Sequence, residues 1–125
     1  MRFNADQNSD LLSIRGYADG ELRVQDATYR GCIIIAGRSI IEVPGLRRAA
    51  DLGREQVERL LSLDPQVVLI GTPQRDDWPA AQWRAQLLAA GIGVEVMNTG
   101  AACRTFNVLI AEQRRVAALL ILQGP

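Results

Sequence analysis

The segment with the greatest potential for chemistry runs from Met97 to Asn107, where an apolar stretch gives way to small and polar residues. The pattern predicts a strand followed at once by a helix, and a helix N-terminus offers backbone N–H groups that have no partner within the helix. Small residues there would admit a ligand, and Arg104 would add positive charge. One interpretation is therefore a site for an anion or another small ligand. The other is a tightly packed turn, with Asn98 or Thr99 as the helix N-cap.

Cys103 lies in the first turn of this predicted helix. The helix dipole and the neighbouring Arg104 would both favour a thiolate, which is how nucleophilic cysteines are activated. The chain contains no His to serve as the base, so a small buried side chain is the favoured interpretation. Cys32 adjoins a run of isoleucines and is expected in the core. We expect both thiols to be reduced and mostly buried.

A second segment of interest, Gly71-Thr72, follows a β-branched and aliphatic run over 67–70. If the strands over 67–70 and 92–97 are parallel neighbours, both following segments emerge at one edge of the sheet, where ligands of α/β proteins bind. The two segments would then form the floor of the main concave site. The candidate ligand-binding residues are Gly71, Thr72, Met97, Thr99, Gly100, Cys103 and Arg104.

Charged and aromatic residues follow this second segment. Paired carboxylates such as Asp76-Asp77 can perform acid–base chemistry, but before a helix they are typical of capping and of charge complementary to the helix dipole. Trp78 and Trp83 indicate packing or an interface rather than a stacking platform for bases, because interleaved basic residues are sparse.

The composition excludes several kinds of site. All 14 positive residues are Arg, so the chain has no Schiff-base lysine, P-loop lysine, histidine base or histidine metal ligand. Two cysteines are too few for a thiolate-rich zinc site. We expect no catalytic residue, no metal and no cofactor. The 14 acidic residues cancel the arginines, so nothing favours nucleic acid as a partner.

Hydropathy predicts a cytoplasmic protein without membrane insertion. The first ten residues are polar, and the longest apolar run, Val116 to Leu122, is far shorter than the roughly 20 residues that span a bilayer. Residues 1–10 and 123–125 are expected to be mobile tails. A monomer or a weak homodimer is expected.

The elements that position these residues follow from turn signals and periodicity. Short strands of antiparallel type fill the first third, and the Asp19-Gly20 pair indicates a hairpin turn. Helices and strands then alternate, which predicts βαβ units and parallel strands. A chain of 125 residues is expected to form one α/β domain. The later elements are predicted as helix 54–63, strand 67–70, helix 79–90, strand 92–97, helix 99–113 and strand 116–122.

Three stretches together carry a family resemblance: residues 93–109, read as GVEVMNTGAACRTFNVL, the strand end at 69–72, and the early Gly16-Tyr17. They closely resemble the Mth938-like family of uncharacterised proteins, over essentially the whole chain. The resemblance implies a three-layer domain with a central mixed sheet, flanked by helices, whose last strand is antiparallel to its neighbours. It implies no reaction. Family members include a mitochondrial assembly factor of respiratory complex I and a cytoplasmic protein linked to adipocyte differentiation.

Two positions depart from the family pattern. Pro73 stands where the family often has glycine after Gly-Thr, which removes a backbone donor and weakens the case for an anion cradle. Gln113 stands where glycine often ends the last helix, so that helix must stop without a glycine cap.

The sequence favours a non-enzymatic binding or assembly module that contacts an unknown protein partner. The missing His and Lys, and the assembly-factor relative, both support this hypothesis. The alternative is a binder of a small anionic ligand, or an enzyme, that uses the crevice at the C-terminal ends of strands 67–70 and 92–97.

Overall fold

A computed structural model describes residues 11–123, so the predicted tail at 1–10, and the last two residues of the predicted tail at 123–125, lie outside the described residues. The described part contains eight strands, three α-helices and a 3₁₀ turn at Ala49–Asp51. The strands are β1 (Ile14–Ala18), β2 (Glu21–Val24), β3 (Ala27–Tyr29), β4 (Cys32–Ala36), β5 (Ser39–Glu42), β6 (Val67–Thr72), β7 (Gly93–Asn98) and β8 (Val116–Ile121). The helices are α1 (Arg54–Ser62), α2 (Ala81–Ala89) and α3 (Thr99–Ala111).

The strands form two sheets. A five-stranded mixed sheet in the order β5-β4-β8-β6-β7 lies at the centre, and a three-stranded antiparallel sheet in the order β1-β2-β3 lies beside it. The expected three-layer α/β domain with a central mixed sheet is thus confirmed. The antiparallel character of the first third is also confirmed, but β4 and β5 belong to the central sheet while β1–β3 do not.

The hairpin turn between β1 and β2 follows its sequence signal. Asp19 and Gly20 both adopt positive φ, 54° and 76°, as the turn that matches the twist of a hairpin requires. At the end of α3, Gln113 adopts a positive φ of 63°, the left-handed conformation that glycine usually provides after a helix. The helix therefore ends as expected, without a glycine.

The last strand differs from the expectation taken from the family resemblance. β8 is antiparallel to β4 but parallel to β6, so it is not antiparallel to both neighbours. It lies at the junction between the antiparallel and parallel halves of the sheet. All six of its residues are buried, because both faces of this strand are covered.

The central sheet separates two apolar cores. One lies under α1 and α2 and includes Leu60, Trp83 and Leu87. The other lies under α3 and the small sheet and includes Leu22 and Phe106. Helix α2 begins at Ala81 rather than at the predicted residue 79, because the preceding backbone at Ala80 is still extended.

Gly71 allows helix α3 to pack directly on the centre of the sheet. A Cβ atom at Gly71 would lie 2.9 Å from the Ala102 Cβ and 3.1 Å from the Thr99 Cα. Distances this short are not available to a side chain, so the close approach of the helix to β6 requires glycine here.

Replacing Gly71 with Ala should therefore destabilise the domain by about 1–3 kcal/mol, the usual cost of overpacking a core. Urea unfolding of the wild type and G71A measures the difference. Gly93→Ala is the matched control, because a Cβ in that β7 position would meet no atom nearer than 3.8 Å. Equal losses in the two variants would show that α3 does not rest on Gly71.

Candidate functional site

Strands β6 and β7 are adjacent and parallel, as predicted, and their carboxyl ends are level. Gly71 is in register with Met97, and Thr72 with Asn98. The segments that follow both strands therefore meet at one edge of the central sheet, where the sequence places the candidate crevice.

Strand β7 passes into helix α3 without an intervening loop. Asn98 is the last residue of the strand and the N-cap of the helix, and its Oδ1 accepts a hydrogen bond from the Ala101 N–H at 2.8 Å. This side chain occupies one of the helix donors that a ligand would need. The capping interpretation of the segment is confirmed, with Asn98 in the role.

Two of the candidate residues are part of the packed interior. The buried Thr99 hydroxyl donates a hydrogen bond to the Ile121 carbonyl at 2.7 Å, which ties the start of α3 to the end of β8. Gly71 lies under α3, against Thr99 and Ala102. Neither residue lines the cavity at the ends of β6 and β7 or the one between α3 and β1.

The Thr72 hydroxyl is also engaged within the fold. It donates to Asp77 Oδ2 at 3.1 Å, and the same carboxylate accepts hydrogen bonds from the Ala49 and Ala50 N–H groups at 2.6 and 3.0 Å. Asp77 thus caps the 3₁₀ turn at Ala49–Asp51. The sequence had predicted that it would cap the following helix, α2. Its partners lie almost thirty residues upstream, so local spacing gave no signal for them.

A cavity of about 250 Å³ remains at the carboxyl ends of β6 and β7. Trp78 forms part of its wall, is 50% exposed, and holds the Arg84 guanidinium 5.7 Å from its ring centroid. Sequence analysis predicted only a packing or interface role for Trp78. The residues that line this cavity are Thr72, Pro73, Gln74, Arg75, Trp78, Val96, Met97 and Asn98.

The other candidate residues line a different, smaller cavity. Gly100, Cys103 and Arg104 border a space of about 170 Å³ between α3 and β1, together with Arg15 and Tyr17. The seven candidates are therefore divided between two cavities and the interior.

A larger cavity lies elsewhere among the described residues. It measures about 520 Å³ and is at the opposite end of the sheet, near Pro65, Ile110 and Val116. The expectation that the crevice would be the main concave site is wrong, because the helix cap and the packing at Gly71 fill the space beneath α3.

Both cysteines are buried and free, as predicted. Burial raises the pKa of the Cys103 thiol to about 11, and the opposing effect of Arg104 is smaller. Burial raises the pKa of Cys32 to about 12. Since the thiolate is the nucleophilic form, neither side chain is activated in the folded state.

Alkylation by iodoacetamide at pH 8 should consequently be slow for both thiols. A pKa of about 11 lowers the thiolate fraction of Cys103 by about 100-fold relative to an ordinary cysteine. Mass spectrometry of the native protein, with the urea-unfolded protein as the control, measures the two rates. Native labelling of Cys103 at the unfolded rate would instead indicate an accessible, reactive thiol.

Among the described residues, no helix has the length and apolar character needed to cross a membrane.

Comparison with known proteins gives one family and several relatives. Residues 14–121 match a family described as protein of unknown function (DUF498/DUF598). An uncharacterised protein of Rhodobacter capsulatus is 31% identical over 110 residues, which cover 88% of this chain and 84% of the relative. The 13 kDa major membrane protein of Francisella tularensis is 24% identical and matches 84% of this chain and 86% of its own length.

A further relative carries the name of an assembly factor. NADH dehydrogenase (ubiquinone) 1 alpha subcomplex assembly factor 3 of Drosophila melanogaster is 30% identical over 124 residues. The match covers 95% of this chain but only 62% of the fly protein, so this chain spans about three fifths of that relative.

Solved structures share the fold over nearly the whole chain. A Xanthomonas campestris protein superposes with a TM-score of 0.81 at 30% identity, covering 99% of this chain and 94% of its own. A Bordetella pertussis protein described as a Mth938-like domain gives 0.79 at 28% identity, with 93% and 89% coverage. An outer membrane protein of Bartonella henselae gives 0.77 at 36% identity, with 89% and 94% coverage.

Proposed function

The chain belongs to the Mth938-like family of proteins of unknown function, DUF498/DUF598, and on that premise we propose that it is a non-enzymatic binding or assembly module that acts through protein–protein contacts. The observation that carries this proposal is the use of the crevice's polar groups within the fold. Thr72, Asn98 and Thr99 each hydrogen-bond to another part of the chain.

The electrostatics of the thiols support the same proposal. Raised pKa values leave Cys32 and Cys103 protonated at neutral pH, and the chain has no histidine to deprotonate them. A group that attacks a substrate needs an adjacent base or a lowered pKa. Neither cysteine has one in the described part of the chain.

The assembly-factor relatives supply the class of role. The fly protein named as an assembly factor matches over 95% of this chain, so the domain is the part that the two proteins share. An assembly factor acts by binding other proteins, and a domain held in common is a reasonable carrier of that contact. The partner of this chain and the cytoplasmic location expected from its sequence remain predictions, since some relatives are named as membrane proteins.

Affinity purification of the tagged domain from the cells that make it, followed by quantitative mass spectrometry, tests the proposal. We expect one or a few proteins to co-purify in near-stoichiometric amounts with the wild type. Leu119→Asp is the control, because it puts a carboxylate at a fully buried position of β8 and captures only proteins that bind unfolded chains. A wild type that retains no protein beyond those of the control, but carries a small molecule in native mass spectrometry, would contradict the proposal.

The second candidate, a binder of a small anion, is favoured by one observation. Arg15 and Arg104 both line the cavity at the start of α3, together with Gly100. Two guanidinium groups beside a helix N-terminus suit a phosphate or a carboxylate.

Titration with inorganic phosphate, followed by backbone amide NMR, separates the two candidates. An anion site predicts saturable shifts at Gly100 and Arg104, and Arg104→Ala should weaken binding by about 1.5–3 kcal/mol. Because the Arg104 side chain is exposed, we expect Arg104→Ala to stay folded. The assembly module predicts only small shifts that do not saturate. A variant that unfolds would instead make Arg104 a structural contact.

A further inference from the structure

Among the described strands, β7 forms one edge of the central sheet and has a strand neighbour on one side only. The Gly93 N–H donates to the Gln66 carbonyl at 3.1 Å, so Gly93 directs its backbone groups toward β6. Backbone direction alternates along a strand, and Glu95 and Met97 therefore point the same way as Gly93. The N–H and C=O groups of Val94 and Val96 face outward and have no strand partner among residues 11–123.

The side chains of the same strand divide between the two faces of the sheet. Val94 and Val96 are half-buried and pack against the core under α2. The exposed Glu95 projects from the opposite face, on the α3 side. An added strand beside β7 would thus have an apolar surface on its α2 side and a carboxylate on the other.

Helix α2 and the loop that precedes it border the apolar side of the β7 edge. The helix packs on β7, and the Arg84 guanidinium lies over the ring of Trp78, which lines a cavity together with Val96. Leu88 is one helical turn after Arg84, so both project from the same side of the helix, and it is 56% exposed. A groove between an edge strand and a helix, with exposed apolar side chains along it, is the geometry of domains that bind extended peptides.

The carboxyl end of this groove is positively charged. Arg75 lines the cavity, and the Arg84 guanidinium lies over Trp78 in its wall. The ion pairs among the described residues, Arg30–Glu21 and Arg115–Asp64, involve neither of them. The Arg84 Nε is buried and lacks a hydrogen-bond partner within the described chain, which is rare for a buried donor. Asp76 does not line the cavity. The chemistry at this end suits a carboxylate.

A second copy of the chain fits this edge less well than another protein does. Two copies could pair through antiparallel β7 strands related by a two-fold axis. The register that uses all outward backbone groups of Val94 and Val96 places Val94 of each copy opposite Val96 of the other. It therefore also places the two Glu95 residues opposite each other. Side chains in such a pair are close, and like charges directly opposite each other are destabilising.

We propose, on the basis of the assembly function above, that the partner adds an extended segment to β7, in the groove between β7 and α2. Its backbone hydrogen-bonds to Val94 and Val96. Alternate apolar side chains of the segment face Trp78 and Leu88, and an acidic group lies near Arg75 and Arg84. The partner is therefore a protein with an exposed, extended segment that is apolar at alternate positions and ends in, or contains, a carboxylate.

The test uses 12-residue random peptides displayed on phage, selected on the wild-type domain and then synthesised for calorimetry. Val96→Pro removes one outward N–H and leaves the ladder to β6 intact, as proline does at a sheet edge. Glu42→Pro is the matched control at the other edge of the same sheet. The Val43 N–H donates to Cys32, so the Glu42 N–H faces outward in the same way.

We expect V96P to weaken the selected peptides at least 10-fold and E42P less than 2-fold. Trp78→Ala should also weaken binding of the selected peptides at least 10-fold. Because it changes an exposed side chain, this variant provides the test if V96P fails to fold. Exchanging the acidic residue of a peptide for its amide should cost at least 5-fold. If the selected peptides bind V96P and W78A as tightly as they bind the wild type, the proposed groove is wrong, but the proposed protein-binding function still stands. Failure to select any peptide that binds below about 100 μM also overturns the groove, and the affinity purification then decides the proposed function separately.

Discussion

The contact between Gly71 and the start of helix α3 is the constraint on which the rest of the structure depends. Because Gly71 has no side chain, the helix lies against the centre of the sheet, with Thr99 and Ala102 over β6. The Thr99 hydroxyl can then reach the Ile121 carbonyl and fix the helix to β8. Asn98 caps the helix directly from the end of β7, so no loop separates strand and helix. Tight packing at one glycine thus sets the position of three elements.

The same packing takes up much of the space that the topology would otherwise leave for a ligand. In an open α/β sheet, the space beyond the carboxyl ends of parallel strands usually receives a ligand. Here the helix occupies much of it, and the Thr72 hydroxyl donates a hydrogen bond to the Asp77 carboxylate. Buried polar groups that are fully paired stabilise a fold but offer little to a substrate. The proposed peptide groove lies at the perimeter of the sheet, where β7 has an open edge among the described strands, beside Trp78 and helix α2.

Much of the architecture could be predicted from local patterns. The continuous apolar run in β6 and the helix that follows it predicted a parallel pair with β7, which the structure confirms. Positive φ at Asp19-Gly20 was predictable from the turn residues alone. The cap of α3 was also within reach, because Asn98 stands immediately before small residues typical of a tight helix start.

The remaining features depend on contacts that span the chain. Asp77 caps a turn that begins at Ala49, and neither position carries a signal for the other. Hairpins look alike in sequence whichever sheet they join, so the separation of β1–β3 from β4–β5 was not predictable. The orientation of β8 that the family resemblance implied is wrong, because this strand is parallel to one neighbour and antiparallel to the other. The exposure of Trp78 and the burial of Trp83 likewise follow only from the position of α2.

Amide hydrogen exchange along β7, with and without a peptide selected on the domain, tests the central claim most directly. In the free domain, the outward amides of Val94 and Val96 should exchange much faster than the inward amides of Glu95 and Met97, which the ladder to β6 protects. Saturation with the peptide should slow exchange at Val94 and Val96 specifically. Peptide binding that protects Gly100 and Arg104 instead, or leaves both outward amides of β7 unchanged, would contradict the account.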